Sequence, residues 1–135
     1  MADARVVSVL ASAEGCDRVA DLPGACRISP VEVMLLGDVS IEVLERAVRA
    51  EDADAVVLEF SDGWALVPLR GTSAREAFAR LSELPLPPDG FAQGEVAGVG
   101  ARVVVTRDGI DLLVPSMVEA HVRERVERDC RGLLP

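Results

Sequence analysis

Hydrophobic and polar positions along the chain alternate with the period of a strand in some runs and of a helix in others. Residues 1–30 are interrupted by glycine and proline and predict an irregular N-terminal segment. The run "VEVMLLG" at residues 31–37 predicts a short buried strand that ends in a glycine turn. A helix is predicted from Ser40, its N-cap, to about Ala50. Its apolar residues share one face: Ile41, Leu44, Ala47 and Val48.

From residue 55 the pattern is clearer. The runs "AVVLEF" and "WALVPL" predict two strands joined by a tight turn at residues 61–63, in which Gly63 can adopt a positive φ. Ser73 and Glu76 have the spacing of a capping box and predict the start of the next helix. Its apolar stripe is Ala74, Ala77, Phe78, Leu81 and Leu84, and Pro85 ends it.

The same plan recurs in the last third of the chain. "ARVVVT" and "IDLLV" predict strands joined by a turn at residues 107–109, and Ser116 and Glu119 form a second capping box before a helix. That helix is lined by Val118, Val122, Val126 and Cys130. The sequence therefore predicts an α+β fold with two tandem hairpin–helix (ββα) units, whose helices pack on an antiparallel or mixed sheet. A strand–helix segment precedes them, and residues 31–135 are predicted to be a single domain.

Composition limits the partners of the chain. Half of its 135 residues are apolar but only 3% are aromatic, and the formal net charge is −9. An acidic chain is poorly suited to nucleic acid or anionic membranes, and no apolar run reaches the roughly 18 residues of a membrane span. All 14 cationic residues are arginine, which excludes a lysine Schiff base and a phosphate-loop lysine. High apolar content beside many charges suggests apolar surface for a partner.

The residue types that carry catalysis lack the necessary spacing. Cys16, Cys26 and Cys130 contain no C-x-x-C pair, and their odd number favours a reducing cytosol over a disulfide framework, so we expect a cytoplasmic protein. His121 is the only histidine, and we interpret it as a helix-packing residue. The glycines of "GEVAGVGARVVV" open a strand rather than a helix, unlike a dinucleotide loop. No catalytic, cofactor-binding or metal-binding residue is therefore assigned in this chain.

Trp64 is the only tryptophan and begins a predicted strand. We interpret it as a core anchor, for which Trp64→Ala should cost about 3–5 kcal/mol of stability. The alternative is an interface contact, since tryptophan is enriched at hot spots. Ser73 and Ser116 are interpreted as structural caps worth about 1 kcal/mol each.

With these residues placed, the chain from about residue 55 to 130 resembles the gamma subunit of heterotetrameric sarcosine oxidase. The similarity lies in the order and spacing of short motifs. These are Asp62-Gly63-Trp64-Ala65, Gly71, Ala74-Arg75 and Leu81, then Pro85-Leu86-Pro87 before Phe91 and Gly94, and finally Leu113-Val114-Pro115-Ser116.

The resemblance implies a fold related to the aminomethyltransferase-like, folate-binding domain. It implies a small non-catalytic accessory subunit that docks or stabilises larger subunits, which would carry FAD or FMN and tetrahydrofolate and oxidise a sarcosine-like N-methyl amine. This chain would carry no cofactor itself. The residues expected to have structural or interface roles are Asp62, Gly63, Trp64, Ser73, Phe78, Phe91 and Ser116. Two alternatives stay open: a stand-alone folate-binding domain and a non-enzymatic protein-interaction module.

Overall fold

The computed structural model describes residues 5–135 and divides the chain into two compact units, the first ending at Ser61 and the second beginning at Asp62. Each unit contains one four-stranded antiparallel sheet with helices packed on one of its faces. The predicted α+β class is confirmed. The predicted domain boundary at residue 30 differs from this division, and residues 1–4 of the predicted irregular segment lie outside the described residues.

The first unit contains four strands and two helices. They are β1 (Arg5–Leu10), α1 (Ala13–Asp17), β2 (Ala25–Ser29), β3 (Glu32–Gly37), α2 (Ile41–Arg49) and β4 (Val56–Glu59). The strand order is β2-β3-β1-β4. The predicted strand at residues 31–37 and the helix after Ser40 are confirmed as β3 and α2.

Residues 5–30, which belong to the predicted irregular segment, contain β1, α1 and β2. Proline and glycine do interrupt this stretch, but they fall between the elements instead of preventing them. Ser12 caps α1 by accepting a hydrogen bond from the Gly15 N–H at 3.1 Å. β1 is one of the two inner strands of the sheet and pairs with both β3 and β4. Its Val7 and Val9 are fully buried against the helices, as an inner strand requires.

The second unit also contains four strands and two helices. They are β5 (Trp64–Arg70), α3 (Ala74–Ala79), β6 (Gly90–Val96), β7 (Val99–Thr106), β8 (Gly109–Pro115) and α4 (Glu119–Asp129). The strand order is β5-β8-β7-β6. Alternate residues of β5, namely Ala65, Val67 and Leu69, are buried beneath the helices. Phe78 of α3 and Val122 of α4 pack into the same core.

One of the two predicted hairpins is formed. β7 and β8 pair around the turn at residues 107–109, and α4 follows them, as predicted. The strands on either side of residues 61–63, by contrast, belong to different sheets: β4 pairs with β1, and β5 pairs with β8 along its whole length. Residues 61–63 form a single 3₁₀ turn. The seven-residue match of β5 with β8 is longer than any pairing β4 could offer, so the non-local pairing prevails.

The two capping boxes predicted at Ser73 and Ser116 are not formed. Ser73 has φ −99° and ψ 16°, outside the extended region typical of an N-cap, and its side chain makes no capping hydrogen bond. Ser116 lies in a 3₁₀ turn (residues 116–118) before α4, and its hydroxyl donates to the Asp62 carbonyl oxygen at 2.7 Å. Ser40 does cap its helix, since its Oγ accepts from the Val43 N–H at 3.4 Å.

We therefore expect Ser40→Ala to lower the free energy of unfolding by about 1 kcal/mol, the usual loss for an N-cap. Ser73→Ala should change it by less than about 0.5 kcal/mol, because no capping bond is lost. Urea denaturation followed by far-ultraviolet circular dichroism measures both. A larger loss for Ser73→Ala than for Ser40→Ala would contradict the observed cap geometry.

Candidate functional site

Trp64 and Arg102 form a stacked pair on the second sheet. Trp64 is the first residue of β5 and Arg102 lies in the middle of β7, with β8 between them. The guanidinium carbon of Arg102 is 4.4 Å from the centroid of the indole ring, within the range of a cation–π contact. A cavity of about 390 Å³ adjoins the pair and is lined by Trp64, Gln93, Gly94, Gly100, Ala101 and Arg102.

Strand alternation explains why these side chains meet. Ala65 and Ala101 are buried in the helix-covered core, so their neighbours Trp64 and Arg102 project from the opposite face of the same sheet. Trp64 is half-buried there and does not belong to the core cluster. The interpretation of Trp64 as a core anchor is therefore replaced by a position on the second face of the sheet.

We expect Trp64→Ala to cost about 1–2 kcal/mol, less than deletion of a fully buried aromatic side chain, because only part of the indole is removed from water. A double-mutant cycle with Arg102→Ala should give a coupling free energy of about 0.5–1 kcal/mol. Circular dichroism is the suitable probe, since the variant lacks the only tryptophan. A parallel cycle with Arg107→Ala, in the exposed β7–β8 turn, should show no coupling. Equal coupling in the two cycles would contradict a specific stack.

The 3₁₀ turn next to Trp64 is held by a bond between distant segments. The Ser116 hydroxyl reaches the Asp62 carbonyl, and Trp64 is paired with Pro115 in the β5–β8 ladder. Gly63 has no positive φ, and a Cβ added to it would meet nothing within 4 Å. The structure thus brings Trp64 together with Asp62, Gly63 and Ser116. The prediction that Gly63 adopts a positive φ is wrong.

The other predicted residues lie elsewhere. Phe78 is 2% exposed and packs in the core of the second unit. Phe91 is half-buried on β6, where it is paired with Val104 of β7. Ser73 precedes α3 without capping it. These three residues are not part of the Trp64–Arg102 arrangement.

Met117 is an exposed residue near the end of β8 that was not among the residues predicted from the sequence. It lies in the turn after Pro115, the residue paired with Trp64, and its side chain is 89% exposed. Exposed methionine is common at adaptable binding surfaces because its side chain is flexible and polarizable. We call Trp64, Arg102 and Met117 the Trp64 surface. Because Ala101 belongs to the core, strand alternation predicts that Arg102 lies on the other face of the sheet. No nearby sequence signal, however, predicts its contact with a tryptophan two strands away.

The potentially reactive side chains are engaged in packing. Cys16 and Cys130 are buried, and burial raises the pKa of both thiols. The Cys130 Sγ lies 3.3 Å from the Ala77 carbonyl oxygen, to which it donates. His121 Nε2 lies 2.9 Å from the Ala97 carbonyl oxygen; because a carbonyl only accepts, this nitrogen carries a proton. These contacts are those of structural residues.

Within residues 5–135, His, Cys, Asp and Glu side chains form no group of three that could hold a metal ion. None of the helices in that range has the length and apolar character needed to cross a lipid bilayer.

The geometry defines an α+β protein made of two antiparallel four-stranded sheets, each with two helices on one face. A solved chain with a similar fold belongs to the heterotetrameric sarcosine oxidase from Corynebacterium sp. U-96 in complex with pyrrole 2-carboxylate. The two chains align with a TM-score of 0.78 and 14% identity, over 96% of this chain and 80% of the other. At this identity the similarity establishes a related fold. The sequence matches no family model and no curated protein.

Proposed function

We propose that this chain is a small accessory subunit of a heteromeric enzyme that oxidises a sarcosine-like N-methyl amine. Its role is to dock and stabilise larger subunits that carry flavin and tetrahydrofolate. The observation that carries the proposal is the fold match over 96% of the chain to a chain of a heterotetrameric oxidase. The order and spacing of short motifs from Asp62 to Ser116 also support it, because they are features of the sequence and not of the fold.

The state of the reactive side chains is consistent with a non-catalytic role. Cys16 and Cys130 are buried thiols with raised pKa, so little thiolate forms near neutral pH. His121 is tied to the Ala97 carbonyl. A subunit of this kind contributes shape and contact area, while the chemistry takes place on its partners.

The Trp64 surface is the docking site that we assign to a larger subunit. Tryptophan and arginine are the residue types most enriched at interface hot spots. Here their stack holds both side chains in one geometry before binding, which reduces the ordering cost of association. Met117, two residues after the Trp64-paired Pro115, adds an exposed apolar side chain.

The experiment is affinity purification through a tag on the full chain from its native cells, with visible absorption and sarcosine oxidation measured on the eluate. We expect a larger flavin-bearing chain to co-purify. Met117→Asp should weaken this association by about 2 kcal/mol or more, as at other hot spots, and should leave folding unchanged because Met117 is exposed. Val43→Asp is the matched control, since Val43 is 56% exposed on α2 of the first unit.

An eluate without flavin would contradict the proposed function. Tight binding of tetrahydrofolate by the isolated chain would favour a stand-alone folate-binding domain instead. If the flavin-bearing chain co-purifies equally with wild type and Met117→Asp, the function stands but the assignment of the Trp64 surface is wrong.

A further inference from the structure

The edge strands of the two sheets differ in how they are protected against pairing with another strand. An exposed edge presents unpaired N–H and C=O groups, and proteins usually block it with proline, charge, a bulge or a covering group. On β5, Pro68 has no N–H to offer. Arg123 of α4 donates to the outward Leu66 carbonyl at 3.1 Å, so this edge is blocked at two positions.

The edge strands β2 and β6 are each protected against pairing with another strand in a different way. β2 has an irregular register between Arg27 and Ser29, which disrupts a continuous ladder. On β6 the Glu95 carbonyl oxygen accepts from the Ser82 hydroxyl at 2.6 Å. Both edges are therefore poor templates for another strand.

β4, the fourth edge strand, differs from these three because it carries an exposed apolar row. Val56 and Leu58 of β4 alternate with Phe60, the residue directly after it, and share one face, with exposures of 42%, 37% and 46%. Leu10, which is paired with Val56 on β1, is 39% exposed and extends the same patch. A contiguous apolar row at a sheet edge is the arrangement that soluble proteins avoid unless it is covered.

The backbone of β4 has free hydrogen-bonding groups at this edge. The Phe60 N–H donates to the Val6 carbonyl of β1 at 2.8 Å, so Val56, Leu58 and Phe60 direct their backbone groups towards β1. By strand alternation, Val57 and Glu59 direct theirs outward. Within residues 5–135 no partner is present for these outward groups. An added extended strand satisfies donors and acceptors together, which an apolar side chain cannot do.

We propose that β4 pairs with β4 of a second copy of this chain, antiparallel, with the two-fold axis at Leu58. This register places Leu58 opposite Leu58 of the second copy and Val56 opposite Phe60, so the apolar rows coincide. Val57 and Glu59 then exchange backbone hydrogen bonds. The two sheets join into one eight-stranded sheet.

Charge argues against one alternative register of this pairing. Val57 and Glu59, whose backbone groups point outward, must face the same two residues of the second copy. A two-fold axis at Glu59 would place two carboxylates directly opposite each other, which is unfavourable. Centring it on Leu58 places Glu59 opposite Val57, and the strand is then complementary to itself, as a two-fold interface requires. β4 has only four residues, so the interface is small and the dimer should be weak. This inference rests on the first unit alone and is independent of the proposed function.

Sedimentation velocity of the full chain tests the association, over concentrations that span roughly three decades around micromolar. We expect the mass to rise from that of one 14.3 kDa chain towards twice that value. Leu58→Arg should weaken dimerisation at least about tenfold, because it would bury an unpaired charge. Val43→Arg, the same change of charge at an exposed apolar position on α2, should dimerise like wild type.

Oxidative crosslinking tests the register. Leu58 and its symmetry mate form a non-hydrogen-bonded pair, whose Cα separation of about 4.5 Å suits a disulfide. Leu58→Cys should therefore give a covalent dimer under mild oxidation. Phe60→Cys alone should not, whereas Val56→Cys combined with Phe60→Cys should. The native thiols give little background because all three cysteines are buried.

A wild-type chain that stays monomeric throughout this range would overturn the proposal. So would dimerisation of Leu58→Arg equal to that of wild type, or crosslinking of Phe60→Cys without crosslinking of Leu58→Cys. A monomeric wild type whose larger co-purifying partner is lost in Leu58→Arg would assign this edge to a different chain, and would also overturn pairing between copies.

Discussion

Phe78→Ala is expected to lower the free energy of unfolding of the second unit by about 3–5 kcal/mol, the usual range for deleting a buried aromatic side chain. Among residues 5–135, Phe78 is the largest fully buried side chain, at 2% exposure. α3 has only six residues, too few to be stable alone, so its packing onto the sheet through Phe78 holds it in place. The loss is a large share of the roughly 5–15 kcal/mol that stabilises a whole domain.

Trp64 provides the measurement, because the only tryptophan lies in the second unit and its fluorescence reports the unfolding of that unit in urea. Phe91→Ala is the matched control: it removes the same side chain from the same unit at a half-buried position. Its effect should be less than about half as large. A change of under about 1 kcal/mol for Phe78→Ala would contradict the assigned core.

Gly109→Ala is expected to be the second most damaging of these substitutions, lowering stability by about 3 kcal/mol. Gly109 has φ +147°, which side-chain-bearing residues rarely adopt, and an added Cβ would lie 2.1 Å from the Leu69 carbonyl oxygen. Since Gly109 is paired with Arg70, relief of this contact must displace the β5–β8 ladder. Backbone strain and a weakened ladder add to each other.

Gly63→Ala is the comparison for this prediction. Gly63 has no positive φ and open space around its Cα, so alanine should be neutral or stabilise by up to about 1 kcal/mol through a less flexible unfolded chain. Urea denaturation monitored by Trp64 fluorescence measures both variants. If Gly63→Ala proves the more damaging of the two, the turn at residues 61–63 has a geometry other than the one described.

The sequence predicted the elements whose signals are local. α2 could be predicted because Ser40, its cap, and an apolar face with Leu44 and Val48 lie within one short window. The β7–β8 hairpin could be predicted for the same reason, since Gly109 and both strands are contiguous. In each case the contacts that stabilise the element lie close together in sequence.

Pairing between distant segments could not be predicted in this way. The turn signal at Gly63 suggested that β4 and β5 pair with each other, but β5 pairs with β8, more than forty residues later. Likewise, Ser116 has the spacing of a cap, yet its hydroxyl bonds to Asp62 because the β5–β8 ladder brings the two together.

The candidate site depends on the same long-range pairing. The residue type of Trp64 marks it as a candidate in the sequence, but its partner Arg102 is recognisable only once β5, β8 and β7 are adjacent. Aromatic residue type alone does not distinguish the core face of a strand from its other face. The alternation of Trp64 with buried Ala65 and Val67 decides that point.

We propose that this chain acts by docking onto larger subunits that hold the cofactors. Native mass spectrometry of the assembly purified through a tag on this chain tests this proposal most directly, because the method measures the mass of each chain together with its bound cofactors. We expect an assembly that contains at least one larger flavin-bearing chain, from which this chain dissociates at its unmodified mass. Flavin or folate bound to this chain itself, or an assembly without any flavin-bearing chain, would contradict it.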